Sequence, residues 1–100
     1  MEWDYEWDED KAESNLAKHG VAFSKAIEIL AGETLERIDD RQDYGEIRKI
    51  AMGNDRQGRL HVVAFTERAD SIRIISARKA NERETAWFER MKKGKTDEEG

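Results

Sequence analysis

Arginines and one glutamate recur where strands would begin and end. Glu46 stands two residues before Arg48, so on a regular strand both side chains leave the same face. Arg68 follows the most apolar stretch of the chain, LHVVAFT. Arg73 lies inside IRIISA, and Arg78 and Lys79 stand at its exit. A carboxylate beside a guanidinium can be an exposed ion pair worth ~0–1 kcal/mol. It can also be a base held next to a phosphate-binding cation. Strand parity groups Arg73 with Ile75, Ala77 and Lys79, and Arg78 with Ile72, Ile74 and Ser76. The two arginines therefore reach one site only if the chain leaves the sheet near Ala77. Lys18-His19-Gly20 suits the end of a helix, where cations are favoured and Gly stops the turn. His19 is also the residue type for proton transfer near pH 7. His61, inside the apolar stretch, reads as structural.

Other chemistries find no support. The chain has two His and no Cys, which excludes disulfides, Cys-zinc sites and Cys nucleophiles. No spacing matches a calcium loop, and no metal or cofactor is expected. There is neither a glycine-rich phosphate loop nor a Gly-x-Ser-x-Gly elbow.

The elements that must position these residues fit one domain of 100 residues. Charged residues make up 41% of the chain, well above the usual quarter or so. Net charge is −5, yet the first ten residues alone carry six acids and no base. Residues 66–95 hold nine Lys or Arg against five acids, so a basic region could still face an anion. The acidic start is the opposite of a signal peptide. No apolar run approaches the roughly 20 residues that span a bilayer, so a cytoplasmic protein is expected.

Trp3, Tyr5 and Trp7 alternate with acids and predict a strand. Asp8 is a plausible cap for a helix that ends at Gly20, with Asn15 and His19 sharing or bordering its thin apolar stripe. Ser24 is a second cap candidate, for a helix ending at Gly32. Thr34 to Asp39 reads as a strand with Leu35 and Ile38 out of phase, and residues 39–43 read as a turn. Glu46 to Met52 reads as a strand of untidy parity, which a bulge or two-sided burial would resolve. Residues 53–58 read as a hairpin loop. Leu60 to Thr66 is apolar on both faces and so a central strand, and Ile72 to Ala77 follows after a short turn. Asn81 with Glu84 resembles a capping box that opens a last helix ending at Gly94. The expectation is an α+β domain over residues 1–93, with residues 94–100 a flexible polar tail. Its order is an N-terminal strand, two short helices, an antiparallel β-meander and a C-terminal helix.

These residues also carry a resemblance. Tyr5-Glu6-Trp7-Asp8, Lys11, Asn15, Lys18-His19-Gly20-Val21 and Phe23 resemble the N-terminal signature of the BrnT family. Gly45-Glu46-Ile47-Arg48 is similar to that family's central motif. So are Gly58-Arg59-Leu60 into Val62-Val63, Phe65-Thr66-Glu67-Arg68, residues 72–80 (IRIISARKA), and Glu82-Arg83-Glu84. The likeness spans residues 5–90. One departure is Glu9, where the family often has Pro.

The resemblance implies a RelE-like fold and a toxin of a bacterial type II toxin–antitoxin pair. It implies metal-independent RNA cleavage that inhibits translation and growth, and neutralisation by a cognate, BrnA-like antitoxin. A toxin–antitoxin heterotetramer would bind promoter DNA only through the antitoxin. Cleavage by the adjacent 2′-hydroxyl needs a base, cations for the phosphorane charge and an acid for the leaving oxygen. Glu46 or His19 would be the base, Arg48, Arg68 and Arg78 the phosphate clamps, and Lys18 an electrostatic contributor or proton donor. Arg73, Lys79 and Arg83 would steer the RNA backbone. The alternative is a non-catalytic module that holds an antitoxin in a repressor complex.

Overall fold

The computed structural model describes residues 4–40 and 45–99. Trp3 and residues 41–43 of the expected turn lie outside them. Strand β1 (Asp4–Glu6) leads into helices α1 (Glu9–His19) and α2 (Phe23–Ala31). Four strands follow, β2 (Thr34–Asp39), β3 (Arg48–Asn54), β4 (Leu60–Glu67) and β5 (Ser71–Lys79), and then helix α3 (Glu82–Glu99). The sheet order is β1-β5-β4-β3-β2, which makes β4 the central strand as its composition implied. Strands β2 to β5 form the expected antiparallel meander, whereas β1 pairs with β5 in parallel, so the sheet is mixed. Among the described residues, no helix is long and apolar enough to cross a membrane.

The sheet separates two cores. On one face Val21, Phe23, Ala26 and Ile29 meet Ala51, Val63, Phe65, Ile72, Ile74 and Ala77. Trp7 packs edge-on against Phe23, with ring centroids 5.9 Å apart. On the other face Ile50, Met52 and Val62 bury Phe88 of α3, with Leu35, Leu60 and Ala80 at the margin. The untidy parity of the Glu46 to Met52 stretch came from Ile47, which precedes β3 and is exposed, while β3 itself is buried on both faces, Ala51 in one core and Ile50 and Met52 in the other. The same logic separates Leu35, which packs on the α3 side, from Ile38, which is exposed on the edge strand.

Local chemistry sets the element ends. The Asp8 carboxylate accepts from Lys11 N–H at 3.1 Å and caps α1, and Gly20 closes it in the left-handed region at φ 70°. Helix α2 begins earlier than its sequence suggests. Ala22, not Ser24, is the N-cap, and no side chain caps it. Burying Phe23 in its first turn outweighs the missing cap. Gly53 and Asn54 belong to β3, so the hairpin loop is shorter than expected. Helix α3 continues through Gly94 to Glu99 rather than stopping at Gly94. Glycine costs a helix interior only ~1 kcal/mol and breaks no hydrogen bond, so it need not end one.

Candidate active site

Five residues form one row across the second face of the sheet. Asp39 on β2 is the partner of Arg48 on β3. The register that pairs Lys49 with Phe65 sets Arg48 beside Thr66 on β4. Thr66 partners Arg73 on β5, and Arg73 partners Glu6 on β1. With strands ~4.8 Å apart, the two arginine Cα atoms flank Thr66 at roughly 10 Å from one another.

Arg73 joins this face because of a bulge. Ala64 pairs with Ser76 and Phe65 with Ile74, so Ile75 is left over. The extra residue reverses the alternation. Ile72, Ile74 and Ala77 all enter the helical core, and Arg73 and Arg78 both turn to the opposite face. Strict parity had separated them.

Ion pairs extend the row into a cluster. Arg73 lies 3.7 Å from the Glu6 carboxylate, which is also 3.9 Å from Arg68. Arg68 lies 3.6 Å from Glu46. The Glu46 segment is held by the Thr66 hydroxyl, which donates to the Ile47 carbonyl at 2.7 Å. Gly45 precedes it at φ 76°, a conformation that glycine adopts without strain. Among the expected site residues, Glu46, Arg48, Arg68 and Arg73 thus converge at one end of the face. Helix α3 packs on the other end, through Phe88 on Ile50, Met52 and Val62.

Arg78 shares the face but not the cluster. Its partner is Val62, four residues along β4 from Thr66, or roughly 13 Å. Its guanidinium makes two bonds of 2.7 Å to the Glu84 carboxylate. Glu84 in turn closes the capping box of α3, accepting from Asn81 N–H at 2.9 Å while Asn81 accepts from Glu84 N–H at 2.8 Å. The Arg78 guanidinium holds the Glu84 carboxyl below its ordinary value of 4.5. Lys18 and His19 end α1, which packs on the helical face through Asn15 and Ala12. No hydrogen bond or ion pair among the described residues joins either to Glu46, Arg48, Arg68 or Arg78. Lys79 faces the helical side as the partner of His61, and Arg83 is exposed on the first turn of α3.

Three members of the row and the Arg78 partner escaped the reading of functional residues. Glu6 alternates with Tyr5 and Trp7, so its sidedness was legible. Asp39 looked like a turn residue and Thr66 like strand filling, and only pairing reveals them. Among the described residues, no three His, Asp or Glu side chains converge to hold a metal ion.

A family model described as the ribonuclease toxin BrnT of a type II toxin–antitoxin system matches residues 7–84. The chain belongs to the BrnT family. The match includes Glu46, Arg48, Thr66, Arg68 and Arg73, and Glu6 stands just before it. Membership makes the chain a ribonuclease toxin of a type II system, which implies an antitoxin partner. A crystal structure of the Brucella abortus ribonuclease toxin BrnT has a similar fold, with TM-score 0.61 and 25% identity. The similarity covers 81% of this chain and 100% of that one. No curated protein matches.

Proposed function

We propose that this BrnT chain cleaves RNA without a metal ion, at the Arg48–Thr66–Arg73 row. Glu46 takes the proton of a 2′-hydroxyl, whose oxygen then bonds to the adjacent phosphorus. The bond to the 5′-oxygen breaks, and that oxygen takes a proton from water. Arg48, Arg68 and Arg73 stabilise the charge that builds on the phosphorane oxygens, where planar guanidiniums grip two oxygens at once. The observation that carries this reading is the row itself. Two half-buried arginines flank the buried Thr66, whose hydroxyl holds the Ile47 carbonyl, and the exposed Glu46 carboxylate beside them pairs with Arg68. The same arrangement favours Glu46 over His19 as the base, because α1 packs on the opposite face.

In the cell this activity would inhibit translation and growth, from a RelE-like toxin. A BrnA-like antitoxin would neutralise it by covering Arg68 and Glu46, the exposed groups beside the row. A heterotetramer of the two would reach promoter DNA through the antitoxin alone.

The test is cleavage of a defined RNA by the antitoxin-free chain in EDTA. Arg48→Ala and Arg73→Ala are expected to slow cleavage by about 10²-fold, the usual effect of losing one preorganised donor to a transition-state oxyanion. Undiminished cleavage by either folded variant removes the row from the mechanism. A folded wild-type chain inert on free RNA and on ribosomes favours the non-catalytic antitoxin-holding module.

A further inference from the structure

A second polar site lies on the helical side of the sheet, away from the arginine row. A cleft of about 550 Å³ opens where the α1–α2 junction meets the β3–β4 turn. Ser24, Lys25, Asp55, Arg59, His61 and Lys79 contribute to its wall. His61 is only 2% exposed. Its Nδ1 lies 3.0 Å from the Arg59 carbonyl, to which a ring N–H donates. That leaves Nε2, which has no partner among the described residues, as the nitrogen available to a ligand. Lys79 is the cross-strand partner of His61 and leaves the sheet on the same face.

In the cleft wall three cations, Lys25, Arg59 and Lys79, outnumber two carboxylates, Glu28 and Asp55. The two carboxylates of the cleft are already engaged. Asp55 accepts from Gln57 N–H at 2.8 Å and Arg59 N–H at 2.9 Å, and its second oxygen lies 3.5 Å from Lys25 and 4.0 Å from His61 Nδ1. Glu28 accepts from Arg56 N–H at 2.7 Å. Arg59 and Lys79 are exposed and make no ion pair among the described residues. Helix α2 points its start at the cleft through Ala22 and Ser24, with no capping side chain and no acid in its first turn. An uncapped helix start attracts negative charge. The volume suits a small anionic group rather than a polymer.

We propose that this cleft binds a phosphate group, whose oxygens accept from Arg59 and Lys79 and whose P–OH donates to His61 Nε2. The phosphate can come from free inorganic phosphate or from the end of a ribonucleotide, and both present the same oxygens. The site stands apart from the arginine row, so it holds whether or not that row cleaves RNA.

The two histidines of the chain make the test direct. The ring signals of His19 and His61 are followed by NMR in the full-length chain, with His19→Gln assigning them. Inorganic phosphate, adenosine 3′-monophosphate and sodium chloride of matched ionic strength are added in separate titrations. A saturable shift of the His61 signal with phosphate or the nucleotide, absent with chloride, is the expected result. Tighter binding of the nucleotide identifies it as the source, and equal binding identifies the free ion. Lys79→Gln, an exposed change that leaves the fold intact, is expected to weaken binding roughly fivefold by removing one charge-assisted contact. A His61 signal that is flat, or that follows chloride equally, overturns the proposal. So does unchanged affinity in Lys79→Gln.

Discussion

Each arginine on this face already has a carboxylate or a row neighbour, and those partners decide what it can do. Arg68 and Arg73 share Glu6 at 3.9 and 3.7 Å, with the Glu6 side chain 42% exposed. Such loose pairs are worth ~0–1 kcal/mol, so a phosphate can displace them at little cost. Arg78 differs, because its two 2.7 Å bonds to Glu84 also fasten the start of α3. Arg78→Ala is therefore expected to cost about 1 kcal/mol of stability while slowing RNA cleavage per folded molecule less than Arg48→Ala does. Comparing cleavage rates normalised to the folded fraction checks this ordering. Glu84 also predicts an acid response. Arg78 depresses its carboxyl in the folded state, so its contribution is present above 4.5, the ordinary value, and is lost as pH falls through the lower folded value. Asp55 behaves alike, since the Arg59 N–H and then the Gln57 N–H hold it below its ordinary 3.8. Urea denaturation of the wild type should lose stability below about pH 4.5, and Glu84→Gln should flatten the upper part of that decline.

At the scale of elements, Asn15 and Gly53 fit the first two helices to the sheet in opposite ways. Strand β1 covers only Ser71 to Arg73 of β5. Beyond it, the Asn15 side chain takes the place of a neighbouring strand. Its Nδ2 donates to the Ala77 carbonyl at 2.8 Å and its Oδ1 accepts from Ala77 N–H at 3.1 Å. A further 2.9 Å bond to the Val21 carbonyl fixes the α1–α2 corner. Asn15→Leu would leave the Ala77 N–H and two carbonyls without these partners. It should destabilise the fold by roughly 2–4 kcal/mol, measurable from the urea midpoint. Gly53 shows the opposite need, for the absence of a side chain. A Cβ there would stand 2.9 Å from the Glu33 carbonyl oxygen and 3.2 Å from Ile29 on α2. Gly53→Ala should cost about 1–3 kcal/mol through this overpacking, with the thermal midpoint lowered accordingly.

For the whole molecule, the sign of the net charge misleads. The total is −5, but the opening ten residues hold six of the acids. The row end of the sheet gathers Arg48, Arg68 and Arg73 against Glu6, Glu46 and Asp39. RNA binding through these three arginines should therefore be weakly salt-dependent. The slope of log affinity against log salt should be about −2, from ~0.7 per phosphate contact on a single strand. Titrating a non-cleavable RNA between low and moderate salt measures it. A slope steeper than about −5 would mean that cations outside the row, among them Lys18 and Arg83, also carry the contact.

Much of this protein was legible in its sequence because local rules govern it. Asp8 and Gly20 bound α1, Asn81 with Glu84 opens α3, and the doubly apolar Leu60 to Thr66 stretch marks the centre of the sheet. Short turns between successive strands made β2 to β5 a meander. Motif order carried the BrnT likeness, which the family match bears out. What the sequence left open depends on partners distant along the chain. The parallel seat of β1 against β5 joins residues 4–6 to residues 71–73, and nothing local encodes that pairing. The bulge at Ile75 exists because both Ile74 and Ala77 are needed in one core, and it alone brings Arg73 and Arg78 to the same face. Periodicity assumes an unbroken strand, so it placed them apart. The row from Asp39 to Glu6 is likewise a product of register. Glu6 and Arg73, 67 positions apart, become neighbours across the sheet only when the backbone ladders close, and that is decided by how the two cores pack.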